Sequence, residues 1–247
     1  MRIPRLFTNA DLQIGTEVQL PLETAHYILH VLRLRLNAEV RLFNGKGGEY
    51  SAQLIRIAKK NVYVLITAHH AIDCESPLML TLVQAVSKPE HMDYAIQKSV
   101  ELGVTHIIPV MTERSPPLDK QRFAKRESHW QKIIHNACEQ CGRNRIPTLS
   151  SIMPLFNWLE HPKSGHYFVL APTSQTHLSL TTPIDFAQQG ITVLVGTEGG
   201  LTKMEIDSAV ASGYQAIQLG KRILRTETAA TTILTICQTL WGDLIKT

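Results

Sequence analysis

Residues 193–228, VLVGTEGGLTKMEIDSAVASGYQAIQLGKRILRTET, decide how this chain is read. Two glycine-bearing turns stand in this stretch, Gly196-Thr197-Glu198-Gly199-Gly200 and the run from Leu219 to Thr228. Each follows a short apolar run and leads into helix-like sequence. A short apolar run bounded by turn residues reads as a buried strand, and strand–turn–helix units in succession read as a parallel sheet. Ligands of such sheets bind outside the carboxyl ends of the strands. The layout therefore predicts two loops lining one pocket.

Working outward, the same alternation reaches back to residue 78. Strands are expected at 78–86, 104–110, 167–171, 191–195 and 216–219, and helices at 89–102 (with Pro89 near the start), 129–141, 203–211 and 227–240. The fold class this implies is α/β, a parallel sheet with helices on both faces. The turn after Ala171 then joins the other two on one rim. Residues 69–77, HHAIDCESP, carry few large apolar groups and end in Pro, and they interrupt the pattern as an interdomain linker would. The expected organisation is a domain over 1–70, a connector over 71–77 and a second domain over 78–247.

The first seventy residues read differently. Residues 39–43 alternate, Asn44-Gly45 is a hairpin signal, and 50–57 and 61–67 are further strand candidates, a set that a small barrel would close. Residues 22–32 place apolar groups at helical spacing and would pack against that barrel. Gly45-Lys46-Gly47-Gly48 imitates a phosphate loop, but it lies between two strands rather than before a helix, which favours a plain hairpin.

Composition excludes several classes. With 247 residues and 44% hydrophobic content, the chain can bury a core and is not a disordered one. The formal charge of +4 is compatible with a nucleic-acid partner without requiring one. No stretch is apolar for long enough to predict a membrane span, and the N-terminus lacks a signal-peptide core, so a cytoplasmic location is expected. Cys138 and Cys141 form a CxxC with no second pair beside it, and His26 and His30 have no third ligand, so packing is expected for all four and no metal.

No G-x-G-x-x-G and no G-x-x-x-x-G-K-S/T is present, which argues against dinucleotide or P-loop chemistry. Glycines at strand ends instead let backbone approach a flat ligand such as adenine. In the second turn Lys221, Arg222 and Arg225 crowd three cations beside apolar Ile223-Leu224, as a phosphate-reading rim would. Thr226 is placed to cap the last helix.

The GTEGG-L-T-x-x-E stretch followed by LGKRILRTETA resembles the ribosomal small-subunit RNA methyltransferase E family, which belongs to the SPOUT superfamily. Residues 1–7 (MRIPRLF), 30–34 (HVLRL), 42–50 (LFNGKGGEY), 98–104 (KSVELGV), 139–143 (EQCGR) and Ile146-Pro147 fit the same pattern in order, so the likeness covers essentially the whole chain. It implies an N-terminal PUA-like RNA-binding β-barrel and a C-terminal SPOUT methyltransferase domain whose chain threads a trefoil knot, an exception to the rule against knotted connections. It also implies S-adenosyl-L-methionine as cofactor, a homodimer, and methylation of a uridine at N3 in 16S ribosomal RNA, free or within the small ribosomal subunit. A same-fold enzyme acting at a ribose 2'-hydroxyl and a non-catalytic RNA-binding assembly factor are the alternatives.

The resemblance carries Leu170, Ala171, Pro172, Gly196, Thr197, Glu198, Gly199, Gly200, Leu219, Gly220, Ile223 and Leu224 into the cofactor pocket. Thr197 stands where the family usually has Pro, which relaxes the backbone angle of that turn. N3 of uridine must lose a proton before it can attack, so the site needs a cation to hold charge on the carbonyl oxygens, a base, or both. Arg225 is the first candidate for the cation, and Glu198 and Glu227 are the local carboxylates. For RNA, the expected phosphate contacts are Arg2, Arg5, Arg33, Arg35, Arg114, Arg143, Arg145, Lys221 and Arg222.

Overall fold

The structure is a computed structural model that describes residues 3–117, 119–161, 164–178 and 190–245; Arg2 lies outside the described residues. The chain forms two compact units, one of residues 1–75 with 135–146, the other of 76–134 with 147–247.

The first unit holds β1 (Arg5–Phe7), β2 (Glu17–Gln19), β3 (Glu39–Phe43), β4 (Glu49–Ala58) and β5 (Asn61–His70), paired in the order β1-β3-β4-β5-β2. Every ladder is antiparallel except that between β1 and β3. Alternation along β5 sends Val62, Val64 and Ile66 inward, where they meet Leu6, Leu20, Ile28, Leu42 and Leu54. Each such side chain contributes about 1.5–3 kcal/mol through burial. The glycine cluster makes the β3–β4 turn, with Gly45, Gly47 and Gly48 all at positive φ, so its role is a hairpin. His69 and His70, read above as linker, instead end β5. The 22–32 helix is two pieces, α1 (Leu22–His26) and a π-helical turn over Tyr27–Val31.

Charged groups knit this unit. Arg5 donates to Glu49 Oε2 (2.9 Å), to the main-chain oxygens of Cys138 (2.5 Å) and Arg143 (2.7 Å), and to the Asn144 side chain. Arg143, buried, forks onto the Glu75 carboxylate at 2.5 and 3.1 Å. Glu139 Oε1 accepts from Phe7 N (2.8 Å). Residues 135–146, expected above in the second domain, are thus pinned among β1, β4 and the 72–75 segment.

The second unit is a sheet of β6 (Leu80–Ala85), β7 (His106–Met111), β8 (Thr148–Leu149), β9 (Met153–Pro154), β10 (His166–Leu170), β11 (Ile191–Val195) and β12 (Gln215–Ile217). The order is β12-β10-β11-β6-β7-β8, with β9 also on β7, and all ladders are parallel. Every residue of β11 and nearly every residue of β6 is buried, as central parallel strands covered on both faces must be. Short strands such as β8, β9 and β12 carry too few residues to show a period, which is why two of them escaped the sequence reading.

Helices α2 (Pro89–Glu101), α3 (Phe123–Cys141), α4 (Leu155–Leu159), α5 (Lys203–Ala211) and α6 (Thr226–Trp241) complete the chain. Pro89 sits at the first helical position of α2, where its missing N–H costs nothing. Met92, Ala95, Ile96, Ser99 and Val100 form the buried stripe of α2, which packs on α6. Thr202 and Glu205 make a reciprocal capping box at the start of α5. The other Glu205 oxygen accepts from Glu113 N (2.8 Å), so this buried carboxylate ties α5 to the loop after β7. Among the described residues no helix is long and apolar enough to cross a membrane.

Candidate active site

Because β12, β10 and β11 are neighbours and parallel, the turns after Leu170, Val195 and Ile217 emerge on one edge. They enclose a cavity of about 540 Å³, within the size range of small-molecule sites. Leu170, Ala171, Pro172, Gly196, Thr197, Gly199, Gly200, Leu219, Gly220, Ile223 and Leu224 line it, eleven of the twelve cofactor residues proposed from sequence.

The glycines are there for space and angle. A side chain on Gly196 would sit 2.8 Å from the Gly200 carbonyl carbon, and Gly200 has φ +74°. Thr197 closes the turn itself: its carbonyl accepts from Gly200 N (2.9 Å), its hydroxyl donates to Gly200 O (3.3 Å), and it is buried. The turn is therefore held by its own hydrogen bonds without the ring of a proline.

Beneath the cavity lies a neutral network. Thr226 Oγ1 donates to Gly196 O (2.6 Å), and Gln84 Nε2, from β6, donates to both Thr226 Oγ1 (3.0 Å) and Gly196 O (3.3 Å). Thr226 is consequently not the cap of α6; that position belongs to Arg225, and the threonine hydroxyl is used across the sheet edge instead.

Glu198 departs from expectation. Its side chain points away from the cavity lining, accepting from Lys88 N (3.0 Å) at the start of α2 and lying 3.8 Å from His91 Nε2. Glu227 faces the same imidazole, its Oε2 3.1 Å from His91 Nδ1. Neither carboxylate is free. Arg225 is exposed, follows cavity-lining Leu224, and its guanidinium has no partner among the described residues.

The cations expected to meet RNA divide sharply. Arg33, Arg35, Lys221 and Arg222 are exposed, and Arg222 also lines the cavity. Arg145 is exposed and lies 3.8 Å from Asp73. Arg114 donates to Gly199 O and belongs to the cavity wall. Arg5 and Arg143 have internal partners instead, so they hold the first unit together rather than present charge to solvent. Cys138 is buried, which pushes its thiol up to about 12, and among the described residues no cluster of metal-binding side chains occurs.

Sequence reasoning missed Leu201, Lys203, Ile206, Asp207, Ile217, Gln218 and Ala229, all in the lining. The signal was available on α5, where residues 203, 206 and 207 follow helical i, i+3, i+4 spacing toward the glycine turn. It missed His91 for a different reason, since nothing local marks a lone histidine in a helix as a partner of two distant carboxylates.

A parallel sheet with three strand-end loops around an apolar cavity defines a small-molecule-binding α/β protein. Residues 74–238 match the model of an RNA methyltransferase domain, and residues 20–67 match that of an RNA methyltransferase PUA domain. The chain is 34% identical over 244 residues to the ribosomal RNA small subunit methyltransferase E of Buchnera aphidicola from Schizaphis graminum, covering 98% of both chains. Among solved structures, it resembles the Neisseria gonorrhoeae ribosomal RNA small subunit methyltransferase E bound to S-adenosyl methionine (39% identity, TM-score 0.90, 99% of this chain and 100% of that one). A Legionella pneumophila methyltransferase in complex with its bound cofactor SAM is similar at 36% identity, with TM-score 0.91 and the same coverage. The chain belongs to the ribosomal RNA small subunit methyltransferase E family, with a PUA-like antiparallel sheet followed by a parallel-sheet SPOUT methyltransferase domain.

Proposed function

We propose that this chain is an S-adenosyl-L-methionine-dependent RNA methyltransferase that modifies a uridine at N3 in 16S ribosomal RNA. The observation that carries the reading is the cavity at the strand ends, with the exposed Arg225, which has no partner among the described residues, at its margin. Family membership supports the coarser part, methyl transfer to small-subunit ribosomal RNA.

The residues present fit the cofactor. Leu170, Ile217, Leu219 and Leu224 offer apolar walls for an adenine, and the side-chain-free Gly196, Gly199 and Gly200 bring main-chain donors and acceptors within reach of its edge. When bound, S-adenosyl-L-methionine supplies an activated methyl group. The protein must align the base with it and exclude water.

Arg225 stabilises the negative charge that spreads to the uracil carbonyl oxygens as N3 gives up its proton. Glu198 and Glu227 rank behind Arg225 as catalytic candidates, as the local carboxylates that could accept the proton, since both already face His91. The first unit, residues 1–75 with 135–146, presents the RNA through the exposed Arg33 and Arg35, and the second, residues 76–134 with 147–247, performs the transfer, with the C-terminal segment threaded as a trefoil knot. The working form is a homodimer in the cytoplasm.

Mass spectrometry of nucleosides from 16S ribosomal RNA tests this reading. A strain lacking the chain should lose 3-methyluridine and regain it on complementation. Loss of a 2'-O-methylated nucleoside instead would assign the ribose, and an unchanged profile together with no cofactor binding in calorimetry would leave an assembly factor.

A further inference from the structure

One corner of the second unit holds both halves of the cavity. The stretch from Gln84 at the end of β6 to His91 in the first turn of α2 contacts the glycine turn after β11 and the start of α6, two segments about thirty residues apart in sequence. It does so in two tiers. The inner tier is the neutral network in which Gln84 Nε2 reaches both Gly196 O and Thr226 Oγ1.

The outer tier is an imidazole set between two carboxylates. His91 lies between two carboxylates, Nε2 3.8 Å from Glu198 Oε1 and Nδ1 3.1 Å from Glu227 Oε2. Glu198 is also anchored by Lys88 N at 3.0 Å. Glu227 Oε2 is shut off from solvent and accepts no hydrogen bond of regular geometry among the described residues, so the imidazole is the group that faces it. The His91 and Glu227 side chains are only 22% and 14% exposed, where a polar contact to a carboxylate is screened less than on an open surface.

Glu198 sits within the GTEGG turn, and Glu227 is the second residue of α6, just past Leu224, Arg225 and Thr226. A change in the distance between the two carboxylates is therefore a change in the width of the cavity and in the position of Arg225. We infer that His91 is a positioning residue for the methyl-transfer site, bridging Glu198 and Glu227 so that the two cavity-lining segments stay in register. This rests on the methyltransferase reading above. A displacement of about an ångström between the segments is enough to lower turnover strongly.

The experiment is calorimetry with S-adenosyl-L-methionine and single-turnover methylation of 16S ribosomal RNA, on the full chain and on His91→Ala, His91→Gln, Glu227→Gln and His91→Ala/Glu227→Gln. His91→Ala is expected to weaken cofactor binding roughly tenfold and to lower the single-turnover rate further, with the KM for RNA unchanged. His91→Gln, which keeps a donor between the carboxylates, should recover part of the loss. The double variant should be no worse than the poorer single one, because each removes the same bridge. Cofactor affinity and rate equal to the unaltered protein in both His91 variants, or losses that add in the double variant, overturn the inference. If His91→Ala does not fold, the Glu227→Gln and His91→Gln pair carries the same decision. Absence of cofactor binding by the unaltered protein would instead remove the methyltransferase reading itself.

Discussion

Arginines in the two units have the same chemistry and opposite uses. In the first unit Arg5 reaches a carboxylate and main-chain oxygens and Arg143 a carboxylate of their own unit; Arg143 is buried, and the Arg5 side chain is only 12% exposed. Beside the cavity of the second unit, Arg225 stands exposed with no partner among the described residues. The difference teaches that a buried guanidinium must be fully satisfied by the fold, whereas one held free on a rim is available to a ligand.

The largest effect should come from the buried pair. Arg143→Ala leaves Glu75 with an uncompensated charge in a site 14% exposed, and a loss of about 3–5 kcal/mol is expected in denaturant unfolding. A loss below 1 kcal/mol would mean that the pair is solvated and that the contrast between the units is false. Arg225→Ala should do the reverse. Its melting temperature stays within a degree or two of the unaltered protein while the methylation rate falls about a hundredfold or more. Equal turnover would remove Arg225 from the reaction.

A smaller effect is expected at the neutral network beneath the cavity. Thr226→Val keeps the shape but removes one partner each from Gly196 O and Gln84 Nε2, which still bond each other, costing about 0.5–1.5 kcal/mol with a weakened cofactor affinity. Unfolding and calorimetry on the same variant would separate the two consequences.

The smallest expected effect concerns Glu139 in the first unit. Burial raises its carboxyl above the ordinary value, against weaker opposing contributions from the Phe7 N–H and the Arg5 charge. The folded protein then holds this proton more tightly than the unfolded chain does. Ionisation therefore opposes folding, with no penalty below the ordinary carboxyl range and the full penalty above the raised value. Glu139→Gln, which keeps an oxygen for Phe7 N, should melt at the same or a slightly higher temperature at pH 7, and the difference should vanish near pH 4. A clear loss of stability at pH 7 would show that the charged form is needed.

Much of this was legible in the residues. Strands β3, β6 and β11 and helices α2, α5 and α6 announce themselves through period and length, the shared rim follows from the strand-end turns, and the eleven cavity residues on it came from the family resemblance. Strands of two or three residues are too short to carry a period, and the segment 135–146 continues a helical pattern without any sign that it joins the first unit. Thr226 looked like a cap because its position relative to α6 is right for one; its hydroxyl is taken by a carbonyl thirty residues away.

By itself the sequence determined the alternation of strand and helix, the glycine turns and the cation-rich run after β12, because backbone freedom and hydrophobic period are properties of neighbouring residues. Tertiary structure alone decided which arginines are interior, that Glu198 and Glu227 converge on His91, and that Gln84 supports both loops. Those outcomes depend on which polar groups the fold brings within about 3–4 Å of each other once water is excluded, and no local pattern encodes that distance.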